Sequence, residues 1–516
     1  MDSPLRPADP PAAPLSVLGA GLGLMGDTTA DVSLTGITLD SRAVQPGWLY
    51  VALPGTRAHG AQFARSAVES GAGAILTDDE GLALLRREDV PVVAAADVRR
   101  VMAVMAARLF GEPARGMTML GVTGTNGKTT TVALLQAGLA AAGVLCGTIG
   151  TIGFRLGDAE IPSTRSTVTT PESPDLQALL AVMSARGAEA VALEVSSHAL
   201  ALGRVEAIEF DVVGFLNLGR DHLDFHRDVD DYFEAKAALF EPGRSKVSVI
   251  WVDDPRGKEL ADRVAGHGAS RLVTVGTAAG VDYRLECYRP VDPLGGTATV
   301  TRDGETLDLT LSLPGEYNMI DAAVSLAMLE AAGTPTDAAL RGLRAAQVPG
   351  RMQRVPLDGP APMVVVDFAH TPQAVSAAVE SLAVLGPVIT VLGCGGDRDA
   401  DKRPHMGAAA ARASALTIVT DDNPRSEPPE DIRAQTLAGA RAAGGDVVEV
   451  PGRRAAIEEA LRRAAPGTVV AILGKGHERG QILADRTVDF DDAQEATHAW
   501  RRLTEEGTQD AATLDE

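Results

Sequence analysis

Short apolar runs alternate along the chain with Ala/Leu-rich amphipathic stretches, the order of strands and helices that builds α/β domains with mainly parallel sheets. MTMLGVTG passes through a Gly-rich segment into TTVALLQAGLAAAG, a strand, loop and helix in succession. Towards the C-terminus, MVVVDF, VITVLG, ALTIVT and TVVAILG run directly into FAHTP, CGGDRD, DDNPR and KGHE. In an open parallel sheet, segments at the carboxyl ends of strands line the ligand crevice, so these polar endings predict a site in the last domain. Thr371 and Pro372 predict the N-cap and first turn of the helix after MVVVDF, and Gly386-Pro387 its end. TATVTRDGETLDLTLSL departs from the alternation, with a period of two around Asp303-Gly304 that predicts a hairpin inserted into the α/β pattern. Breaks at Gly111-Glu112-Pro113 and Val348-Pro349-Gly350 each follow a helical run and precede a new strand, dividing the chain into domains at 16–112, 113–347 and 348–505. The Pro-rich residues 1–15 and the acidic residues 506–516 read as disordered tails.

A chain of 516 residues has room for about three such domains. Its 69 Asp and Glu against 47 Lys and Arg leave a net charge of −22. That argues against nucleic acid and membrane as partners, since both require a basic face. An anionic ligand has to be held by a local site working against the overall field. Cys146, Cys287 and Cys394 are far apart and form no CxxC, which fits a reducing compartment and excludes a disulfide framework or a Cys-based zinc site. The first residues have neither the basic start nor the apolar core of a signal peptide, and no apolar stretch is long enough to span a bilayer. These features predict a cytoplasmic protein.

Gly121-Val-Thr-Gly-Thr-Asn-Gly-Lys-Thr-Thr130 is the strongest local signal. A phosphate-binding loop needs glycines that let backbone N–H groups close around phosphate, with a helix N-terminus behind them. It also needs a lysine for the β/γ charge and a hydroxyl for Mg²⁺. Gly124 and Gly127 supply the turns and Lys128 and Thr129 the last two roles, although Val122 stands where the strict pattern has glycine. The alternative is a Gly-rich turn before a helix; the strand–loop–helix context favours nucleotide binding. Glu194, ending the strand in ALEVSSH, is either a Mg²⁺ ligand beside this loop or a structural cap. His222, Asp224 and His226 in NLGRDHLDFH have the composition of a metal cluster, while His226 alone is equally well a packed side chain. Lys236 in DYFEAKAALF reads as a solvated helix lysine. Arg398 in GGDRD and Arg425 in DNPR place two guanidinium forks at strand ends near Glu478. They suit a ligand with both carboxylates and an ammonium; loop salt bridges are the other reading.

Taken in order, TLDSR, GTNGKTT, TTPES, EVSSHAL, NLGRDHLDFH, FEAKAALF, LPGEYN, VPGRM, DFAHTP, GCGGDRD, DNPR and GKGHE resemble the motifs of the Mur ligases, from about Ile37 to Asp492. These are ATP-dependent amide-bond ligases of peptidoglycan precursor synthesis, and DNPR is similar to the signature of the branch that takes meso-diaminopimelate rather than lysine. The resemblance implies a monomer of three α/β domains: a UDP-substrate-binding domain, a central P-loop-type parallel-sheet ATPase domain, and a C-terminal Rossmann-like domain that binds the amino acid. It implies that Ser41 touches the uridine end of a UDP-N-acetylmuramoyl dipeptide, and that Thr169, Thr170, Ser197 and Arg204 hold its muramoyl-peptide part. Gly124, Thr125, Asn126, Gly127, Lys128, Thr129 and Thr130 would cradle ATP, faced by Arg351 and Asp367 from the last domain. Thr129, Glu194, His222 and Lys236 would serve Mg²⁺, with Lys236 carbamylated and so converted from a cation into a carboxylate. Lys128, Lys236 and His222 are the implied catalytic groups. Arg398, Asp422, Asn423, Pro424, Arg425, Gly474 and Glu478 would read diaminopimelate. Trp251 replaces a usual Asn on the adenine side, Leu216 a usual Thr, Phe368 a usual Tyr, Gln353 a usual Glu and His59 a usual Asp.

The implied reaction runs through an acyl phosphate, formed when a substrate carboxylate attacks ATP and consumed when the amino-acid amine displaces phosphate. Because ATP is expected on the middle domain and the amino acid on the last, the last domain is expected to close onto the others during turnover.

Overall fold

The computed structural model describes residues 5–7, 11–55, 58–85, 89–162, 168–291 and 294–514, with side chains up to 505. Each domain is organised by one main sheet. In the first, Gly36–Thr38, Trp48–Val51, Ala74–Thr77 and Val92–Ala94 pair in parallel, and Met25–Gly26 closes one edge antiparallel. The middle sheet has eleven strands among the described residues. Its parallel centre runs in the spatial order Cys146–Gly150, Ala190–Glu194, Thr118–Thr123, Phe210–Phe215, Ser245–Trp251, Arg271–Gly276 and Tyr283–Pro290. Thr118–Thr123 therefore lies well inside the sheet with the Gly-rich loop at its carboxyl end. The pleat sends its Leu120 and Val122 into one apolar layer and Met119 into the opposite one. Both faces are covered, which is why Ala190–Glu194 is buried at every position.

The hairpin forms as its sequence predicts. Arg302 opposes Glu305, and Asp303 and Gly304 between them adopt φ of 48° and 80°, the left-handed pair of a tight turn. It is no separate insertion, since its strands continue the edge of the middle sheet. In the last domain Met363–Asp367, Val469–Leu473, Val388–Cys394, Leu416–Asp421 and Val447–Glu449 run parallel in that spatial order, with Gln353–Val355 antiparallel at the edge. Apolar layers cover both faces. Helix Pro372–Ala383 begins with the Thr371 hydroxyl accepting from the Ala374 N–H, a cap worth about 1 kcal/mol. No described helix is long and apolar enough to cross a membrane.

The terminal segments correct two expectations. Within residues 1–15, Arg6 donates to the Ile37 carbonyl, pairs with Asp175 at 3.2 Å and lies 4.1 Å over the Trp48 ring. Ala13–Pro14 pairs with Ser33–Leu34, and Leu15 is buried. These packing and cation–π contacts prevail over the Pro-rich composition. At the other end, helix Asp492–Leu514 runs through most of the acidic segment, because a helix already nucleated on buried Ala496 and Ala499 extends at little further cost.

Candidate active site

Helix Lys128–Ala141 starts at Gly127, whose φ of 90° only glycine adopts freely, and no side chain caps it. Its first N–H groups are left for an anion, with the helix dipole behind them. Asn217, which sequence reasoning passed over in NLGRDH, braces the loop: its Oδ1 accepts from the Asn126 N–H at 3.0 Å and its Nδ2 donates to the Asn126 carbonyl at 3.2 Å. Thr125 Oγ1 accepts from the Gly219 N–H at 2.8 Å and lies 3.2 Å from the Tyr232 hydroxyl, so that side chain faces the protein. Thr130 is buried in the first turn.

Lys128 Nζ and Lys236 Nζ both donate to the Gly124 carbonyl, at 2.7 and 2.8 Å. Lys128 also donates to the Thr125 carbonyl at 2.9 Å. Lys236 is 1% exposed, which overturns its reading as a solvated lysine. Its helix turns Tyr232, Phe233 and Ala237 into the core, and Lys236 shares that buried face. Burial first, then the Lys128 charge, holds Lys236 well below the ordinary lysine range. Lys128 is also lowered by burial, against the pull of Glu194 and Asp221.

Glu194 is buried at its strand end and accepts from the Thr151 N–H and the Thr151 hydroxyl, both at 2.9 Å. Thr129 Oγ1 accepts from Arg351 Nη2 at 3.2 Å. His222 stacks edge-on to His198, with ring centroids 4.9 Å apart, and burial pushes its pKa down to about 4. Asp224 and His226 do not join it. Asp224 is exposed, and His226 turns inward to Ser197 Oγ at 2.9 Å and Asp231 at 3.5 Å. Among the described residues no three His, Cys, Asp or Glu side chains surround a cation position. The three-residue cluster read from HLDFH is therefore corrected, because successive turn residues point to different sides. Magnesium takes one or two protein oxygens and keeps waters and phosphate oxygens. Glu194 and the Thr129 hydroxyl beside the loop fit an ion arriving with a nucleotide; Lys236 fits only as a carbamate.

Of the residues expected to hold the muramoyl peptide, Thr170 Oγ1 donates to the Glu194 carbonyl at 2.7 Å, and Thr169 Oγ1 lies 3.3 Å from Thr151 Oγ1. Arg204 pairs with Glu172 at 2.6 Å and donates to the Thr170 carbonyl at 2.9 Å. Glu172, the acid of TTPES, is a partner that sequence reasoning missed. Ser41 begins the short 3₁₀ turn Ser41–Ala43 of the first domain. Beside the phosphate loop, a cavity of about 330 Å³ is walled by Asn126, Leu216, Trp251, Tyr317 and Asp321. Burial pushes the Asp321 carboxyl up to about 8, and its Oδ2 has no hydrogen-bond partner.

In the last domain Asp367 is buried at the end of its strand. Its oxygens accept from the Met352 and Ala369 N–H groups at 2.7 and 2.8 Å, which fixes the turn that carries Arg351. The Arg351 guanidinium lies 4.5 Å over the Phe368 ring. Asn423 is held by its neighbours: Oδ1 accepts from the Ile482 N–H at 2.9 Å and Lys475 Nζ at 3.1 Å, and Nδ2 donates to Glu478 at 2.7 Å. Lys475, fully buried, was absent from the expected set. Arg425, at φ 53°, donates to the Gly396 carbonyl at 2.7 Å, and burial followed by the Arg398 charge lowers its pKa. Neither Arg398 nor Arg425 has an ion-pair partner among the described residues, so the loop-salt-bridge reading fails. Asp422 is buried beside them, next to Pro424, and Gly474 at φ 112° leaves room for its carboxylate, 2.7 Å from where a Cβ would stand.

Among the described residues, two hydrogen bonds join this pocket to the phosphate loop's domain: Arg351 to Thr129, and His477 Nε2 to the Thr151 carbonyl at 3.0 Å. Residues 33–116 match the Mur ligase family catalytic domain, 122–329 the Mur ligase middle domain, and 350–476 the Mur ligase glutamate ligase domain. The UDP-N-acetylmuramoyl-L-alanyl-D-glutamate–2,6-diaminopimelate ligase of Streptomyces coelicolor is 44% identical over 95% of this chain and 97% of its own length.

The chain belongs to the Mur ligase family.

A ligase of the same name from Corynebacterium efficiens is 40% identical over 98% of each chain. A solved UDP-N-acetylmuramoyl-L-alanyl-D-glutamate–2,6-diaminopimelate ligase superposes with a TM-score of 0.66 at 30% identity, covering 91% of this chain and 95% of that one. Mur ligases form amide bonds at the expense of ATP, and three α/β domains are the architecture of this one.

Proposed function

We propose that this chain joins meso-2,6-diaminopimelate to the D-glutamate γ-carboxylate of UDP-N-acetylmuramoyl-L-alanyl-D-glutamate, using ATP, in cytoplasmic peptidoglycan precursor synthesis. The similar ligases carry that activity in their names. The observation that carries it here is the pocket of two guanidiniums without ion pairs among the described residues, Arg398 and Arg425, and two carboxylates, Asp422 and Glu478. Arg351 brings that pocket against the phosphate loop. Such a set complements an amino acid with two carboxylates and two ammoniums.

The γ-carboxylate attacks the γ-phosphorus of ATP, forming an acyl phosphate and releasing ADP. The amine of diaminopimelate then attacks the acyl carbon, and phosphate leaves with the C–O bond pair as the amine gives up a proton. Lys128 exchanges its two loop carbonyls for phosphate oxygens, and Arg351 reaches the same charge from the last domain. Mg²⁺, when bound with ATP, supplies charge neutralisation on the phosphates. Burial lowers the basicity of Lys236 and so favours the unprotonated amine that would add CO₂ with loss of a proton, and the carbamate would place a negative charge beside the loop.

ADP release by the purified protein tests this reading. Turnover is expected with meso-diaminopimelate and the UDP-dipeptide, and rejection of L-lysine by a factor of about 10⁴, because lysine leaves a desolvated guanidinium unpaired. Comparable rates with both amino acids would overturn the specificity, and ADP release needing neither co-substrate would overturn the ligase.

A further inference from the structure

Thr151 sits at the tip of a two-residue turn, between Cys146–Gly150 and Gly153–Leu156, with Gly150 paired to Gly153. The strand pairing alone closes such a turn, and its tip would ordinarily face water. Here each polar group of Thr151 is engaged by a different part of the site. Its N–H and hydroxyl both donate to the Glu194 carboxylate at 2.9 Å. Its hydroxyl oxygen stands 3.3 Å from Thr169 Oγ1. Its carbonyl accepts from His477 Nε2 at 3.0 Å, across the boundary between the middle and last domains. His477 precedes Glu478, which is itself tied to Asn423 and Lys475 at 2.7 and 3.1 Å.

The carbonyl contact fixes the tautomer: Nε2 carries the proton, which leaves Nδ1 bare, buried and without a partner. Gly350 packs its α-carbon against the His477 backbone, where a Cβ would come within 2.1 Å of His477 N, and this close approach seats the loop that carries the imidazole.

We propose that Thr151 is the positioning residue through which the amino-acid loop, the Glu194 carboxylate and the muramoyl-peptide threonine Thr169 act together. The hydroxyl orients Glu194 and Thr169. The carbonyl registers whether the His477–Glu478 loop is docked. This rests on the ligase reading above, and the test separates the two.

Thr151→Val removes the hydroxyl while keeping the backbone contacts and the β-branch; Thr151→Ser restores it. By calorimetry without metal or ATP, Thr151→Val is expected to bind the UDP-dipeptide about 5–10-fold more weakly and Thr151→Ser to match the parent, the size of one lost hydrogen bond near charge. Mn²⁺ binding to the ATP complex, read by electron paramagnetic resonance, is expected to weaken about 10-fold in Thr151→Val. His477→Phe keeps the ring packing but not the donor. It is expected to raise KM for diaminopimelate and, from the other domain, to weaken Mn²⁺ binding as well. Unchanged UDP-dipeptide and Mn²⁺ affinities in Thr151→Val, failure of Thr151→Ser to restore them, or a His477→Phe effect confined to diaminopimelate would each overturn the proposal. A parent protein that binds the UDP-dipeptide yet shows no diaminopimelate-dependent ADP release would sink the ligase reading instead, and the binding arms would still decide the role of Thr151.

Discussion

Arg425 holds one guanidinium nitrogen on the Gly396 carbonyl and has no acid partner among the described residues, which leaves the rest of the fork for a substrate carboxylate. Replacing it by lysine removes the two-pronged geometry and keeps the charge. Arg425→Lys is therefore expected to raise KM for diaminopimelate about 10–100-fold with KM for ATP unchanged. An equal rise in both KM values would mean that the residue shapes the domain rather than reads the ligand. Asp321 gives a pH prediction. Its folded pKa of about 8 lies above the unfolded value, so the folded state keeps a proton that the unfolded state loses above about pH 4. Stability is therefore intact in acid, falls progressively as pH rises from about 4 to about 8, and levels off above that. Asp321→Asn should then stabilise the protein by about 2–4 kcal/mol at pH 7.5 and by almost nothing at pH 4. Denaturation at the two pH values measures this, and a gain independent of pH would refute it.

At the scale of elements, the phosphate loop is a strand end, a helix start and a glycine between them. A Cβ on Gly127 would lie 2.3 Å from Asp321 Oδ1, and the residue's φ of 90° disfavours any side chain. Gly127→Ala is expected to abolish the rise in melting temperature that ADP with Mg²⁺ gives the parent, since a nucleotide stabilises only a loop it can enter. A preserved nucleotide shift in Gly127→Ala would place the phosphates elsewhere. This element was legible in advance because its chemistry is local: glycines, lysine and hydroxyl are consecutive in the chain. Asn217 and Thr151 were not legible, although both lie close to motifs. Each acts on a segment distant in sequence, Asn217 on Asn126 and Thr151 on Glu194, and neither residue type is rare enough to stand out. The HLDFH cluster failed in the opposite direction, because proximity in sequence on a turn does not bring side chains to one point.

For the whole molecule, the Arg351–Thr129 and His477–Thr151 hydrogen bonds join the last domain to the middle one. Both hydrogen bonds border the ligand sites, beside apolar contact of Leu294 and Tyr317 with the last domain's core, so ligands that bridge the cleft should shift an open–closed equilibrium. Small-angle scattering is expected to give a larger radius of gyration for the free protein than for its complex with the UDP-dipeptide and a non-hydrolysable ATP analogue. Superimposable curves would mean that the cleft does not open. The net charge of −22 makes this contact all the more dependent on its few cations.

The sequence by itself determined the strand and helix alternation, the phosphate loop, the hairpin turn and the family, because each is written in residues close together or in an order of motifs. Only the tertiary structure decided what each charged group faces. Lys236 is solvated or buried according to which helix face packs on the loop at Gly124. Asp367 and Asn423 accept from the Met352 and Ile482 N–H groups that the fold brings to them from other segments. Arg398 and Arg425 form no ion pair among the described residues, although Asp422, Glu478 and Asp397 lie near enough for their charges to act on Arg425. Burial and partnership are properties of distances between remote segments, and no local pattern encodes them.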